Sequence, residues 1–203
     1  MTIRTALYPA PSSDSSPTHV WAWRHPRPIG AEGLCIGRTD LKLDPRKARR
    51  LARQIATAAS RYRLSQVVYT SSLHRCASVG KVLGNWGWEH RIDDALREFD
   101  FGLWEGKAWI EIGQTEVQAW TDSFAHYAPG GGETLAAMLQ RAAAWSPGLG
   151  QLGRLGQDGP GVVVAHAGWL QARQWQQLRG SALPTANEWP QAPRYGQLCQ
   201  FAG

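Results

Sequence analysis

Two histidines and two arginines draw notice because each follows an apolar run. Arg24 and His25 close "VWAWRH", His166 closes "GVVVAH", and Arg75 lies one helical turn beyond Ser71 and Ser72, which follow "QVVYT". Each residue alone has an ordinary structural explanation, as a capping group or a hydrogen-bonded core histidine. Together they are the types that suit a phosphoryl group. The planar fork of an arginine matches the oxygens of a phosphate dianion in a bidentate pairing. A neutral imidazole near its normal pKa is nucleophilic toward phosphorus without a base to deprotonate it. In this reading Arg24 and Arg75 clamp the phosphate, His166, if protonated, adds a third hydrogen bond, and His25 attacks in line. The product is a phosphohistidine that water then opens. Pro26 and Pro28 follow at once and restrict the backbone beside the imidazole.

An alkoxide leaving group also needs a proton. The segment "LREFDFGLWEG" (96–106) offers Glu98, Asp100 and Glu105 among Phe99, Phe101 and Trp104. A carboxylic acid in that role contributes about a hundred- to ten-thousand-fold. The residues by themselves leave Glu98 and Glu105 as equal candidates.

These side chains need elements to position them. Strands are predicted at 20–23, 66–70 and 161–165, the last an unbroken run of the kind buried on both faces. Asp44 reads as an N-cap with Pro45 at the first helical position of a helix reaching residue 62. Ser71 or Ser72 is expected to cap a helix reaching Leu83, and further helices are predicted at 134–145 and 169–178, the second stopped by Gly180. Strands separated by helices imply a three-layer α/β/α fold with a mostly parallel central sheet. In such sheets ligands bind at the carboxyl ends of the strands, where all four residues lie.

Composition narrows the class. With 203 residues and 43% apolar content the chain suits one core, expected over 20–203 after a flexible lead-in at 1–19 that contains "PAPSSDSSPT". No apolar run nears the roughly 20 residues of a membrane span, and the first residues lack the apolar stretch of a signal peptide. A cytoplasmic protein, monomeric or homodimeric and without a membrane partner, is the expectation. Cys35, Cys76 and Cys199 are odd in number and form no Cys-x-x-Cys pair, so free thiols are expected. The net charge of +6 raises the question of nucleic acid, but the basic run 44–54 carries Ala48, Leu51, Ile55, Ala59 and Tyr62 at helical spacing, which puts the cations on a solvated face. No nucleic-acid partner is predicted, and the positive field favours a small anionic substrate. "GLGQLG" (148–153) fits a dinucleotide glycine pattern but follows no strand, and His74, His90 and His126 have no zinc-ligand spacing. Metal-free, cofactor-free chemistry is expected.

The set "RHP", "SSLHRCAS", "LREFDFGLWEG", "GGET" and "VVVAHAG", in that order, resembles the histidine phosphatase superfamily, the phosphoglycerate-mutase-like enzymes, from Val20 to Leu178. The resemblance implies that fold, a phosphorylated small-molecule substrate, His25 as the phosphorylated nucleophile, Arg24, Arg75 and His166 as the phosphate pocket, and Glu98 as the proton donor. Glu105 and Glu133 then become supporting residues. Pro26 stands where the family usually has glycine, and Arg27 where an acidic residue often follows.

Within the superfamily, "RHPRP" with "LCIGRTDLKL" (34–43) is most similar to the alpha-ribazole phosphatases of late cobalamin synthesis. This implies removal of the 5'-phosphate of alpha-ribazole phosphate, with Arg38, Glu105 and Trp104 as weaker substrate-binding candidates. Trp104, Trp109 or Trp120 could stack on a benzimidazole ring. The alternatives are a broad sugar-phosphate or nucleotide phosphatase, a mutase, and a non-catalytic phosphate-binding module. The module has no need of His25 and Glu98 together.

Overall fold

The computed structural model of the chain describes residues 19–147 and 161–202. Among them five strands, β1 (His19–Arg24), β2 (Val67–Thr70), β3 (Glu89–Ile92), β4 (Val162–Ala165) and β5 (Leu198–Ala202), form one sheet in the order β3-β2-β4-β1-β5. In that sheet β5 runs antiparallel, against β1 at one edge, and the other pairings are parallel. Helices α1 (Pro45–Tyr62), α2 (His74–Gly84), α3 (Gln114–Asp122), α4 (Leu135–Ala144) and α5 (Ala167–Arg179) accompany the strands.

Side chains alternate across a strand, so β1 sends Trp21 and Trp23 to one face and Val20 and Ala22 to the other. Val162 and Val164 of β4 join the first face, Val163 and Ala165 the second. Leu51 and Ile55 of α1 with Val79 and Leu83 of α2 cover the tryptophan face. Met138 and Leu139 of α4 with Trp169 and Leu170 of α5 cover the opposite one. Both faces are therefore buried, which is why the central strands read as unbroken apolar runs. The result is the expected three-layer α/β/α arrangement.

Local signals set most helix ends. The Asp44 side chain accepts the Arg46 N–H at 2.8 Å ahead of Pro45, and α1 ends at Arg63 with a left-handed φ of 53°. The start of α2 departs from expectation. Neither Ser71 nor Ser72 caps it; the helix begins at His74, whose N–H is accepted by Asp40 from a distant loop at 2.6 Å. The two hydroxyls are engaged elsewhere, Ser71 by His166 and Ser72 by Arg97. α5 starts two residues earlier than predicted, directly after His166. β3, β5 and α3 were not foreseen: β3 is a short "EHRI" edge without alternation, and β5 takes its place by pairing with β1. Of the expected lead-in over 1–19 only His19 is described, as the first residue of β1; residues 1–18 and "GLGQLG" lie outside the described residues. Among the described residues no helix is long and apolar enough to cross a membrane.

Candidate active site

Because β1, β4 and β2 are neighbours in the sheet, their carboxyl ends bring Arg24-His25, His166 and Ser71 to one edge. The N–H of His25 donates to the Ala165 carbonyl at 3.0 Å, which ties the residue after β1 to the last residue of β4. Its Nδ1 lies 2.8 Å from the Pro26 carbonyl. A carbonyl only accepts, so the ring proton belongs on Nδ1 and Nε2 keeps its lone pair. The backbone carbonyl of residue 26 thus selects the tautomer in which Nε2 keeps its lone pair. Burial pushes the His25 pKa well below the ordinary imidazole value, with Arg75 and then Arg24 acting in the same direction and the Pro26 hydrogen bond opposing. The imidazole is neutral.

His166 is fully buried, and its ring centroid is 5.0 Å from that of His25. Arg75 Nε donates to its Nδ1 at 3.2 Å, so the proton of the neutral ring sits on Nε2, 2.6 Å from the Ser71 hydroxyl oxygen. Burial, then Arg75, His25 and Arg24, lower its pKa well below normal. Beside two guanidiniums and away from water, a third cation is disfavoured before a phosphate arrives. Cys76 Sγ lies 3.3 Å from the same Nε2, and burial pushes that thiol up to about 12, which keeps it uncharged.

Arg75 is 1% exposed, and one N–H of each terminal nitrogen goes to a backbone oxygen of the 37–39 loop, Nη1 to Thr39 at 2.8 Å and Nη2 to Gly37, which leaves one N–H on each for a ligand. Glu105 holds that loop. Its Oε2 accepts the N–H groups of Gly37 (3.1 Å) and Thr39 (2.9 Å) and the Thr39 hydroxyl, while Oε1 accepts the N–H of Arg38 (2.7 Å) and of Phe101 (3.3 Å). Burial alone would raise the Glu105 pKa, but the Thr39 hydroxyl and the three loop N–H groups outweigh it and hold the carboxyl below its ordinary value. A Cβ at Gly37 would stand 2.4 Å from Glu105 Oε1 and 2.0 Å from the Phe99 carbonyl, so only glycine fits there.

Glu98 is placed differently from Glu105. It borders the cavity that contains His25, and its Oε1 accepts the N–H of Gly168 and of Phe99, each at 3.0 Å. A Cβ at Gly168 would approach Oε1 to 2.4 Å, which explains the glycine in "AHAG". Position separates the two glutamates: Glu98 borders the cavity beside His25, and Glu105 does not. Asp100 is turned to the Gly102 N–H (2.9 Å) and to Arg38 (3.1 Å).

The cavity has a volume of about 360 Å³, within the range of small-molecule sites. Its polar end is Arg24, His25, Arg75 and Glu98, and its wall is Phe99, Phe101, Phe124, Trp109, Trp120 and Trp189, with Gln171 and Tyr195. Phe101 packs edge-on against both Trp109 and Trp120, with centroids 5.8 and 6.0 Å apart. Trp109 and Trp120 are therefore where an aromatic ligand would meet them.

The three weaker substrate-binding candidates are revised, since none borders the cavity. Trp104 is 1% exposed and donates its indole N–H to Glu116 at 3.1 Å, and Glu105 holds the loop described above. Arg38 is paired with Asp100 and Glu133, and Glu133 is gripped bidentately by Arg141 at 3.0 and 2.9 Å. Trp189 and Tyr195 went unanticipated because "NEWPQAPRYG" (187–196) carries no motif, and Gln171 because it lies within α5, beyond the "AHAG" signal. No group of His, Cys, Asp and Glu among the described residues could hold a metal ion.

Comparison with known proteins agrees with this geometry. The family model of the histidine phosphatase superfamily (branch 1) matches residues 20–195. No curated protein matches the chain. The structure of mycobacterial glucosyl-3-phosphoglycerate phosphatase is similar at 25% identity and a TM-score of 0.69, covering 91% of this chain and 90% of its own. Mycobacterial hydrolase 2 is similar at 25% identity and 0.68, covering 90% and 81%. A protein of Thermus thermophilus shares the fold at 24% identity and 0.60, over 82% and 88%. With nearly the whole described chain matched by the model, and two histidines, two arginines and a glutamate gathered at the strand ends, the protein belongs to the histidine phosphatase superfamily, branch 1, and is a phosphatase.

Proposed function

We propose that the protein hydrolyses a phosphomonoester through a phosphohistidine on His25, and that its substrate is alpha-ribazole 5'-phosphate. The catalytic unit is taken as one domain over 20–203. Arg24 and Arg75 grip the phosphoryl oxygens, and His25 Nε2 attacks phosphorus in line with the ester oxygen. Glu98 delivers its proton to the departing alkoxide, then as carboxylate takes a proton from the water that opens the phosphohistidine. Orthophosphate and the alcohol leave, and the enzyme returns to its starting protonation. His166 gains basicity as the dianion approaches and can then share a proton with it.

The observation that carries the substrate reading is a floor of two guanidiniums and His25 joined to an aromatic wall in one cavity. Trp109, Trp120, Phe101, Phe124 and Trp189 suit a planar, uncharged bicyclic ring, and Arg24 and Arg75 are the cations at the cavity among the described residues. A phosphoglycerate would bring a second anion, for which the described lining offers no third cation. Arg27, the departure from the family pattern, pairs with Glu32 at 3.2 Å on the surface and leaves the cavity unchanged.

The test is phosphate release from alpha-ribazole 5'-phosphate, 3-phosphoglycerate, nucleoside monophosphates and an aryl phosphate, compared by kcat/KM. A hundredfold or greater preference for the ribazole ester is expected, with an acid-labile phosphoenzyme that His25→Ala abolishes. Flat activity across the panel overturns the substrate and leaves the histidine chemistry standing. A phosphoenzyme in His25→Ala overturns the nucleophile.

A further inference from the structure

We propose that Tyr195 is a positioning residue for the phosphate clamp: its ring holds the guanidinium plane of Arg24, so that the C-terminal segment 193–197 preorganises the site. The proposal rests on the reading of Arg24 as a phosphate ligand.

Arg24 is restrained on several sides. Its backbone N–H donates to the Gln197 carbonyl and its carbonyl accepts the Gly196 N–H, both at 3.0 Å, so the residue is stapled to 196–197. Nη1 donates to the Pro193 carbonyl at 2.7 Å. The guanidinium carbon lies 3.9 Å from the Tyr195 ring centroid, a stacked cation–π contact. Nε, in contrast, is buried with no partner. A buried, unpaired donor on an otherwise tethered guanidinium is a donor reserved for a ligand, since leaving it unmade is costly. The Nε edge is also the edge with which arginine makes a bidentate contact to an oxyanion.

Tyr195 has no core to justify it. It is 40% exposed, borders the cavity, and its ring centroid stands 5.6 Å from that of His25. An arginine side chain free to sample its rotamers would have to be ordered by each arriving phosphate. Stacking orders it beforehand, and the gain appears as tighter anion binding.

The experiment measures orthovanadate and inorganic phosphate binding by calorimetry, which needs no turnover, in the wild type and in Tyr195→Ala, Tyr195→Phe, Arg24→Ala and the Arg24→Ala/Tyr195→Ala double variant. Tyr195→Ala is expected to weaken vanadate on the order of tenfold. Tyr195→Phe, which keeps the ring, stays within about twofold of the wild type by the same reasoning. In the Arg24→Ala background the tyrosine change has no further effect, the signature of action through Arg24. Equal losses in both backgrounds overturn the proposal, as does a Phe variant as weak as the Ala variant. Should Tyr195→Ala unfold, Tyr195→Leu keeps apolar bulk without a π face, and vanadate affinity equal to the wild type would refute the role. A wild type that binds vanadate yet releases phosphate from no ester would overturn the proposed function while the cycle still decides the role of Tyr195. A wild type that binds neither anion overturns the clamp and this proposal with it.

Discussion

Glu105 carries the most consequential structural prediction, because it acts on the site without touching the cavity. Its two oxygens accept five hydrogen bonds, and the loop they hold supplies the Gly37 and Thr39 carbonyls that aim Arg75. Glu105→Gln turns one oxygen into an NH2 group. Whichever oxygen is lost, two backbone N–H groups then face a donor: those of Gly37 and Thr39 on one side, or of Arg38 and Phe101 on the other. Each unmet donor costs about 1–3 kcal/mol when fully buried. The carboxylate is only partly buried and water recovers part of this, so about 2–4 kcal/mol is expected in total. Against a typical stability of about 5–15 kcal/mol, that is a large fraction. Urea unfolding should show a lower midpoint at an unchanged slope. Steady-state kinetics on an aryl phosphate should show kcat/KM reduced by at least about tenfold as Arg75 loses its fixed direction.

The pH dependence supplies a separate check. The folded pKa of Glu105 lies below its unfolded value, so its contribution is complete above the ordinary carboxylate range and is lost as pH falls through the folded pKa. The acid-side difference between wild type and variant should therefore shrink as pH drops below about 4.5. A Glu105→Gln protein with wild-type stability and activity at neutral pH would refute the chain of support from Glu105 through the loop to Arg75.

Two further outcomes follow from the site. Glu98→Gln should cost about a hundredfold or more on an alkyl phosphate and much less on an aryl phosphate, whose leaving group departs unprotonated; equal losses on both would place the acid elsewhere. His25 and His166 are held neutral by burial, so the unfolded chain takes up their protons first as pH falls below about 6.5, and stability present above that point should decline by about 1.4 kcal/mol per histidine per pH unit until the folded pKa is reached. Thermal unfolding from pH 8 to 5 reads this directly, and a midpoint independent of pH would contradict the neutral pair.

Much of the site was legible because its parts are local. A strand that ends on Arg24-His25 or His166 presents those residues at the sheet edge once the strand is recognised, and both strands announce themselves by apolar, aromatic or β-branched runs. The Asp44-Pro45 start of α1 is likewise a short-range device, readable from adjacent residues. The resemblance to a phosphatase family rested on such pieces, and the chemistry of arginine and imidazole with phosphate supported it independently.

What the sequence could not decide were matters of long-range approach. Glu98 and Glu105 lie seven residues apart in similar surroundings; only the packing of α5 against one and of the 37–39 loop against the other makes the first a cavity residue and the second a brace. Burial beside Arg75 and Arg24 lowers the His166 pKa and disfavours a charge there, an effect of dielectric and neighbours absent from any local pattern. Ser71 loses its expected capping role because a histidine 95 residues away claims its hydroxyl, while Asp40 does the capping from another loop. Residue types and strand ends determined by themselves that this chain could do phosphoryl chemistry. The tertiary structure decided which carboxylate lines the cavity, which tryptophans form the wall and what holds Arg24, because each of those depends on contacts between segments far apart in the chain.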